Sequence, residues 1–415
     1  MKKLLSGVFI LLLAASLIAG SLVGCSGKTS STSTTSTAVQ LKESTITIGL
    51  VSPQTGGAAP WGLAMVHGLE LAFEDANNAG GVTIGDTHYK FVLTSLDDKY
   101  DTATATNDLR TLVYSDNVKF LFSMQTEGTM AMAPEMASQK VLNFVEVYDD
   151  AVIAQPANSY TFRTVIPPSM KTDSYTKWII SQYPNMKKIA HLSTNNTNGE
   201  IITQQDDASA KANGLTVVDE VYYDGGTTDF TPVLTKLLNE KPDALFLGGA
   251  PTGDCAVIIK EARDMGFKGV ISDISPTGGA DMLPIAGKAA LEGFISTMMA
   301  MQPPLVGTNA LNLVTRENAK YGVAYGSTWD FYSQALVICA AIKKAGSTDP
   351  TVVKALLEDS SQVWPYETLA GGTATFGTSV TKALYGGNAS HQIVNPYTIS
   401  VVKDGADTNA AVVNP

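Results

Sequence analysis

The chain is poor in the residue patterns on which most recognisable active sites depend. Its four histidines, His67, His88, His191 and His391, share no metal-ligand spacing. No GxGxxG follows the first strand-like run, and the glycines between Ser52 and Gly57 are wrongly placed for one. Gly287-Lys288 continues into Ala289 and so misses a phosphate-binding GK[ST]. No GxSxG elbow occurs. Positive charge is also scarce. Lys and Arg number 28 against 39 Asp and Glu, a net charge of −11, and no dense basic run exists. Such a chain repels phosphate backbones, which excludes nucleic acid as a partner, and it argues against electrostatic adhesion to an anionic membrane. Two acidic pairs are present, Asp97-Asp98 and Asp149-Asp150. Neighbouring side chains on a strand point to opposite faces, so solvated loop ends account for them better than paired acid/base groups. No catalytic constellation rises above background; we expect a non-enzyme without metal or cofactor.

Cysteine is nearly absent too: Cys25, Cys255 and Cys339 are the three. A disulfide between the last two is compatible with export, but sequence cannot place the thiols together, and two buried free thiols are the expectation. Long apolar runs are confined to one place. Leu4 to Gly20 is uncharged and follows Lys2 and Lys3, the pattern of a secretory signal over residues 1–24. Its end, Leu22-Val23-Gly24-Cys25, resembles the lipobox of bacterial lipoprotein precursors. That resemblance implies lipidation of Cys25 and cleavage just before it. The Ser/Thr run from Ser26 to Ala38 buries nothing and reads as a tether, so residues 25–44 are expected to link a lipid anchor to a folded body.

The body has enough apolar residues, 44% of the chain, for two domain cores. It opens on the β-branched run Thr45 to Val51. A helix is expected from about Trp61 to Ala79, with Leu69, Phe73 and Ala76 on one face. Strands at Phe91–Leu96, Val118–Phe122 and Val141–Val147 alternate with helices at Thr102–Tyr114 and Gly128–Ser138. The alternation restarts at Lys188–Leu192 and continues through Leu215–Tyr222, Asp243–Leu247 and Gly269–Ser272. This is the rhythm of α/β lobes with parallel sheets. A helical block follows at Ser327–Lys344, and Thr373–Val402 reads as hairpin-like strands with Gly-rich turns.

From about Thr45 to Lys403 the order and spacing of short stretches resemble the leucine/isoleucine/valine-binding protein family. The stretches are Thr55-Gly56-Gly57, Trp61-Gly62, Asn78-Ala79-Gly80-Gly81, Phe162-Arg163-Thr164, Asn198-Gly199, Asp229-Phe230-Thr231 and Ala262 to Phe267. The resemblance implies the type I periplasmic binding fold, two Rossmann-like lobes joined by three hinge crossovers. The N-terminal lobe is then expected over 45–164 plus 291–366, and the C-terminal lobe over 165–290 plus 367–415. It further implies a solute in the interlobe cleft, contacted by Trp61, Thr126, Glu127, Val147, Asp149, Asn198, Asp273, Ser275 and Trp329, with Tyr332 beside Trp329. Thr126 would meet a ligand carboxylate at a helix N-terminus. Three departures bear on the ligand. Asp149 stands where the family has a hydroxyl, Asn198 where it has an aromatic, and Ser275 near its acidic residue. Asp149, together with Glu127, Glu146, Asp150 and Asp273, suggests an acidic cleft favouring an amine-bearing ligand. The implied role is that of a monomeric, lipid-anchored extracytoplasmic receptor for an ABC permease, taking up an amino acid or related amide or carboxylate. A sensory receptor for a signalling partner, and more remotely a hydrolase on the same scaffold, are the alternatives.

Overall fold

The computed structural model describes residues 41–154, 158–298, 308–366 and 373–414. The signal, Cys25 and the Ser/Thr tether therefore lie outside the described residues. The first lobe runs β1 (Lys42–Ser52), α1 (Ala59–Asn78), β2 (Val82–Ile84), β3 (Thr87–Asp97), α2 (Thr102–Tyr114), β4 (Phe120–Ser123), α3 (Thr126–Ser138), β5 (Leu142–Val145), α4 (Ala151–Ala154) and β6 (Thr161–Arg163). Its sheet has the order β2-β3-β1-β4-β5-β6, parallel except for β2. Every residue of β4 and β5 is buried, as expected for parallel strands covered on both faces. On one face Ile48, Leu50, Phe122 and Phe144 meet Leu69 and Phe73 of α1. On the other, Val51 and Leu121 meet Leu109, Leu112, Met132 and Met136 of α2 and α3. Each fully buried Leu, Ile or Phe contributes roughly 1.5–3 kcal/mol.

The second lobe repeats the plan: α5 (Pro168–Gln182), β7 (Lys188–Thr194), α6 (Thr197–Ala212), β8 (Thr216–Tyr223), α7 (Thr231–Asn239), β9 (Ala244–Gly248), α8 (Thr252–Asp264), β10 (Val270–Asp273), α9 (Gly279–Ala286), α10 (Lys288–Leu291) and β11 (Ile295–Ser296). The chain then supplies α11 (Thr308–Tyr321), α12 (Thr328–Ala345), α13 (Pro350–Leu357), β12 (Trp364–Pro365), β13 (Thr373–Phe376), α14 (Ser379–Tyr385) and β14 (Ile393–Val394). It closes on the hairpin β15 (Tyr397–Lys403) and β16 (Ala406–Val413). The second sheet has the order β16-β15-β11-β10-β9-β7-β8. Cys255 and Cys339 are buried and unpaired, the first in the core of this lobe and the second in the core shared by α1 and α12.

Three expected boundaries move. Lys42 to Ser44 pair with β3 as the start of β1, so the folded body begins before residue 45 and the linking segment does not reach 44. Ile295 and Ser296 still pair within the second sheet, so the chain leaves that lobe near 297 and not at 291. Residues 373–394 pack on the first lobe, because Phe376 and His391 flank Phe162 and Ile393 joins the same core. The final return therefore falls near 395 and not at 367. The hairpin expected over Thr373–Val402 is displaced as well, since α14 interrupts it. That helix starts on a capping box formed by Thr378 and Thr381, a weaker signal than the usual Ser/Thr-x-x-Glu.

Candidate functional site

In both sheets the strand order reverses beside the first strand. The chain passes from β3 on one side of β1 to β4 on the other, and from β8 beside β7 to β9 across it. Loops at the carboxyl ends of such strand pairs diverge and leave a crevice. The loop after β1 leads to Trp61 and that after β4 to Met124 and Gln125. The loop after β7 leads to Asn198 and that after β9 to Gly249. These ends face each other, and two adjoining chambers lie between them.

The outer chamber encloses about 510 Å³ of unoccupied space, mouth included, and is walled by aromatic and apolar groups: Trp61, Tyr100, Met124, Tyr148, Phe331 and Pro276, with Asn198, Gly249 and Ser275 from the second lobe. Trp61 stands edge-on to Tyr100, ring centroids 6.4 Å apart. Its buried Nε1 has no hydrogen-bond partner among the described residues. The inner chamber, about 720 Å³ counted the same way, is lined by residues of all three lobe connections: Thr164 to Ile166, Thr297 and Met298, and Asn395 to Thr398. Glu146, Pro276, Ser327 and Phe331 border both chambers.

Charge is concentrated in the inner chamber. Glu146 and Asp330 are bridged by the Gln334 amide, which donates to Glu146 Oε2 (3.1 Å) and Asp330 Oδ2 (3.4 Å). Tyr366 donates to Asp330 Oδ1 (2.5 Å), and Thr164 donates to Gln334 Oε1 (2.8 Å). Burial raises the pKa of both acids, and the negative charge of Asp330 raises that of Glu146 further. Lys171 of α5 lies opposite. Its ammonium donates one long hydrogen bond to Thr297 Oγ1 (3.4 Å) and sits 5.2 Å from the centroid of the Tyr148 ring. Burial lowers its pKa to about 8, against the pull of Glu146, Asp273, Asp206 and Asp330.

Of the residues singled out from sequence, Trp61, Asn198 and Ser275 border the outer chamber and Trp329 the inner one. The others lie off the walls. Thr126 donates to Asn198 Oδ1 across the lobes (2.7 Å), while Glu127 accepts the Thr197 backbone N–H (3.1 Å). Gln125, not Thr126, caps α3, accepting from the Gly128 N–H. The start of that helix is thus sealed by its own residues and by the second lobe. Val147 is packed in the first core. Asp149 accepts from the Ala151 N–H at the start of α4 (2.8 Å). Asp273 accepts from the Ser275 N–H (2.8 Å), its pKa raised to about 6 by burial. Tyr332 donates to Asp75 (2.7 Å), on the side facing α1.

The expected acidic cleft is therefore a mixed one. Glu146 and the unforeseen Asp330 line it, Asp150 is spent on Arg163 (2.7 Å), and a buried lysine joins them. The solvated reading of the acidic pairs fails at Asp98, which is fully buried; Asp150 stays partly exposed while it pairs with Arg163. Tyr100, Tyr148, Lys171, Ser327, Asp330, Phe331 and Tyr366 were missed as cavity residues. They sit on helix starts and strand ends whose local pattern reads equally well as core. Among the described residues, no three His, Cys, Asp or Glu side chains gather to hold a metal.

A family model described as periplasmic binding protein matches residues 45–407. A Leu/Ile/Val-binding protein homolog of Brucella melitensis is 26% identical over 339 residues, covering 80% of this chain and 87% of its own. A branched-chain amino acid ABC transporter protein from Thermus thermophilus, solved with bound valine, superposes with a TM-score of 0.75 at 18% identity, over 90% of this chain and 98% of its own. An ABC transporter solute-binding protein from R. palustris, solved in complex with benzoate, gives 0.73 at 17%, over 90% and 97%. With the two-lobed α/β architecture, its reversed strand orders and the interlobe cavity in place, the match over 45–407 establishes that the chain belongs to the periplasmic binding protein family.

Proposed function

We propose that this protein is the solute-capturing component of an ABC importer, taking a small polar, amino-acid-like molecule into the interlobe cleft. One observation carries the reading: a charged, aromatic-walled cavity whose lining comes from both lobes and from every connection between them. A solute bound there touches both halves at once, so binding favours whichever lobe arrangement encloses it. Hydrogen bonds across the lobes, from Thr126 to Asn198, from the Thr197 N–H to Glu127 and from the Gly253 N–H to Gly57, reward the enclosed arrangement. The enclosed form then presents a surface that a membrane permease distinguishes from the empty receptor. Trp61, Asn198, Ser275 and Trp329 are the ligand-facing residues retained from sequence. Valine and benzoate in the two solved relatives bracket the ligand size and polarity. The signal-like N-terminus and Cys25 support a lipid-anchored, extracytoplasmic location.

The test is a thermal-shift screen of the full-length protein in detergent against amino acids, amides, urea and aromatic acids. A true ligand at a hundred times its Kd adds about 2.7 kcal/mol of stability. No stabilisation by any solute of these classes refutes the capture role.

A further inference from the structure

The position of the charges within the cleft specifies how the ligand lies, an inference that rests on the capture role. The helix start expected to receive a carboxylate, that of α3, is closed by Gln125, by the Thr126–Asn198 bond and by the Glu127–Thr197 bond. The inner chamber has the opposite character. Lys171 is only 3% exposed there, and among the described residues no carboxylate comes within ion-pair distance of its ammonium. A lysine ammonium carries three donors. Among the described residues this one makes one hydrogen bond, at 3.4 Å to Thr297, beside the face of the Tyr148 ring. A buried cation so sparsely partnered is costly unless an anion completes it. Glu146 and Asp330 line the same chamber as a carboxyl pair joined by Gln334. Two carboxyl groups beside one buried ammonium form a receptor for a molecule that itself bears one negative and one positive group.

We propose that Lys171 and the Glu146–Asp330 pair form the head-group subsite for a zwitterion, the ligand carboxylate meeting Lys171 and its ammonium meeting the acid pair, with the apolar tail directed into the chamber walled by Trp61, Tyr100, Tyr148 and Phe331. The head group then lies against the lobe connections, since Thr164, Thr297 and Asn395 line the same chamber. The wall of the outer chamber is mostly aromatic and apolar, which favours an amino acid with a large apolar or aromatic side chain over glycine or alanine. Lys171 is the specificity-determining residue that demands a free carboxylate.

Isothermal titration of the full-length wild-type protein tests this without any variant. The probes are L-phenylalanine, L-leucine, glycine, L-phenylalaninamide, which lacks the carboxylate, and 3-phenylpropionate, which lacks the ammonium. The expected result is binding of phenylalanine or leucine at least 100-fold tighter than either half-charged analogue and than glycine. Lys171→Met, checked for folding by its melting curve, is expected to lose at least 100-fold toward the free amino acid while its affinity for L-phenylalaninamide is unchanged. Equal binding of the amide or of 3-phenylpropionate by the wild type overturns the assignment, as does undiminished amino-acid binding by folded Lys171→Met. Absence of binding by every amino acid overturns it too, while stabilisation by solutes of another class in the thermal screen leaves the capture role standing.

Discussion

At the residue scale the informative groups are buried ones whose surroundings oppose their charge. Asp98 accepts the Tyr100 N–H through Oδ1 (2.8 Å), while its Oδ2 is buried without a partner among the described residues. Burial, reinforced by Asp97, Asp108 and Asp101, raises its pKa from 3.8 to about 7. The folded state therefore binds more protons than the unfolded state between about pH 4 and 7, and this residue's contribution to stability falls as pH rises through that window. Asp98→Asn keeps the acceptor and removes the charge. Chemical denaturation should show the variant more stable than wild type by about 1–3 kcal/mol at pH 8 and nearly equal to it at pH 3, below the unfolded-state pKa. A variant less stable at pH 8 would mean that the carboxylate has a stabilising partner. Three of the histidines have unlike surroundings. His67 bonds Glu317 and stacks on Tyr321, His391 lies between Thr161 and Glu358, and His191 is held neutral by burial, its pKa lowered to about 4. The three lie in separate parts of the fold, and neither ring nitrogen of His191 is hydrogen-bonded among the described residues.

At the element scale, the contact between α1 and α12 sets the shape of the first lobe behind the cleft. The two helices approach closely because Gly68 presents no side chain. A Cβ there would stand 2.5 Å from the Thr328 carbonyl oxygen and 2.8 Å from the Tyr332 amide nitrogen. Phe331, one turn along, closes both chambers. Gly68→Ala gains helix propensity of about 1 kcal/mol but must separate the helices. The net expectation is a loss of about 2–3 kcal/mol, visible as a lower melting temperature, together with weaker ligand binding as Phe331 moves. Unchanged stability would show that α12 shifts freely. Gly62 is under the same constraint, its absent Cβ falling 1.8 Å from the Pro53 carbonyl oxygen. Amphipathic spacing placed α1 correctly, with Leu69 and Phe73 buried, yet nothing in that spacing says which helix it meets 260 residues later.

At the scale of the whole molecule the lobes are joined at one end and bonded at the other. Arg163, fully buried where β6 leaves the first lobe, donates to Gln392 (2.5 Å), to the Tyr148 carbonyl (3.2 Å), to Asp150 (2.7 Å) and to Tyr385 (2.9 Å). Gln392 in turn donates to the Val165 carbonyl (2.9 Å), tying the first connection to the third. Across the lobes, Thr126 and Glu127 bond the start of α6 without lining either chamber. Thr126→Val should weaken the enclosed form by about 1 kcal/mol, the worth of one hydrogen bond. Every ligand should then lose about five-fold in affinity through faster dissociation in stopped-flow measurements, with selectivity unchanged. A loss confined to carboxylate ligands would instead make Thr126 a direct contact. Arg163→Met leaves the buried Gln392 amide oxygen without its donor, while Asp150 keeps Ser169 and Tyr385, and a loss of about 1–3 kcal/mol is expected in equilibrium unfolding.

The sequence by itself determined the α/β class, the repetition of the two lobes, the apolar faces of the helices and the loops that would end near the cleft. These follow from periodicity, turn residues and strand–helix alternation, all local properties. Trp61 and Asn198 were named from the family resemblance rather than from local pattern, and both border the outer chamber. Only the tertiary structure decided which carboxylates face the cavity, that Asp149 caps a helix while Asp330 lines the chamber, and that Lys171 stands buried opposite Glu146. It alone assigned residues 373–394 to the first lobe. Charge in a cleft is a property of side chains brought together from α5, β5 and α12. Their separation along the chain leaves no periodic trace, because what selects them is the shared low-dielectric space that they enclose.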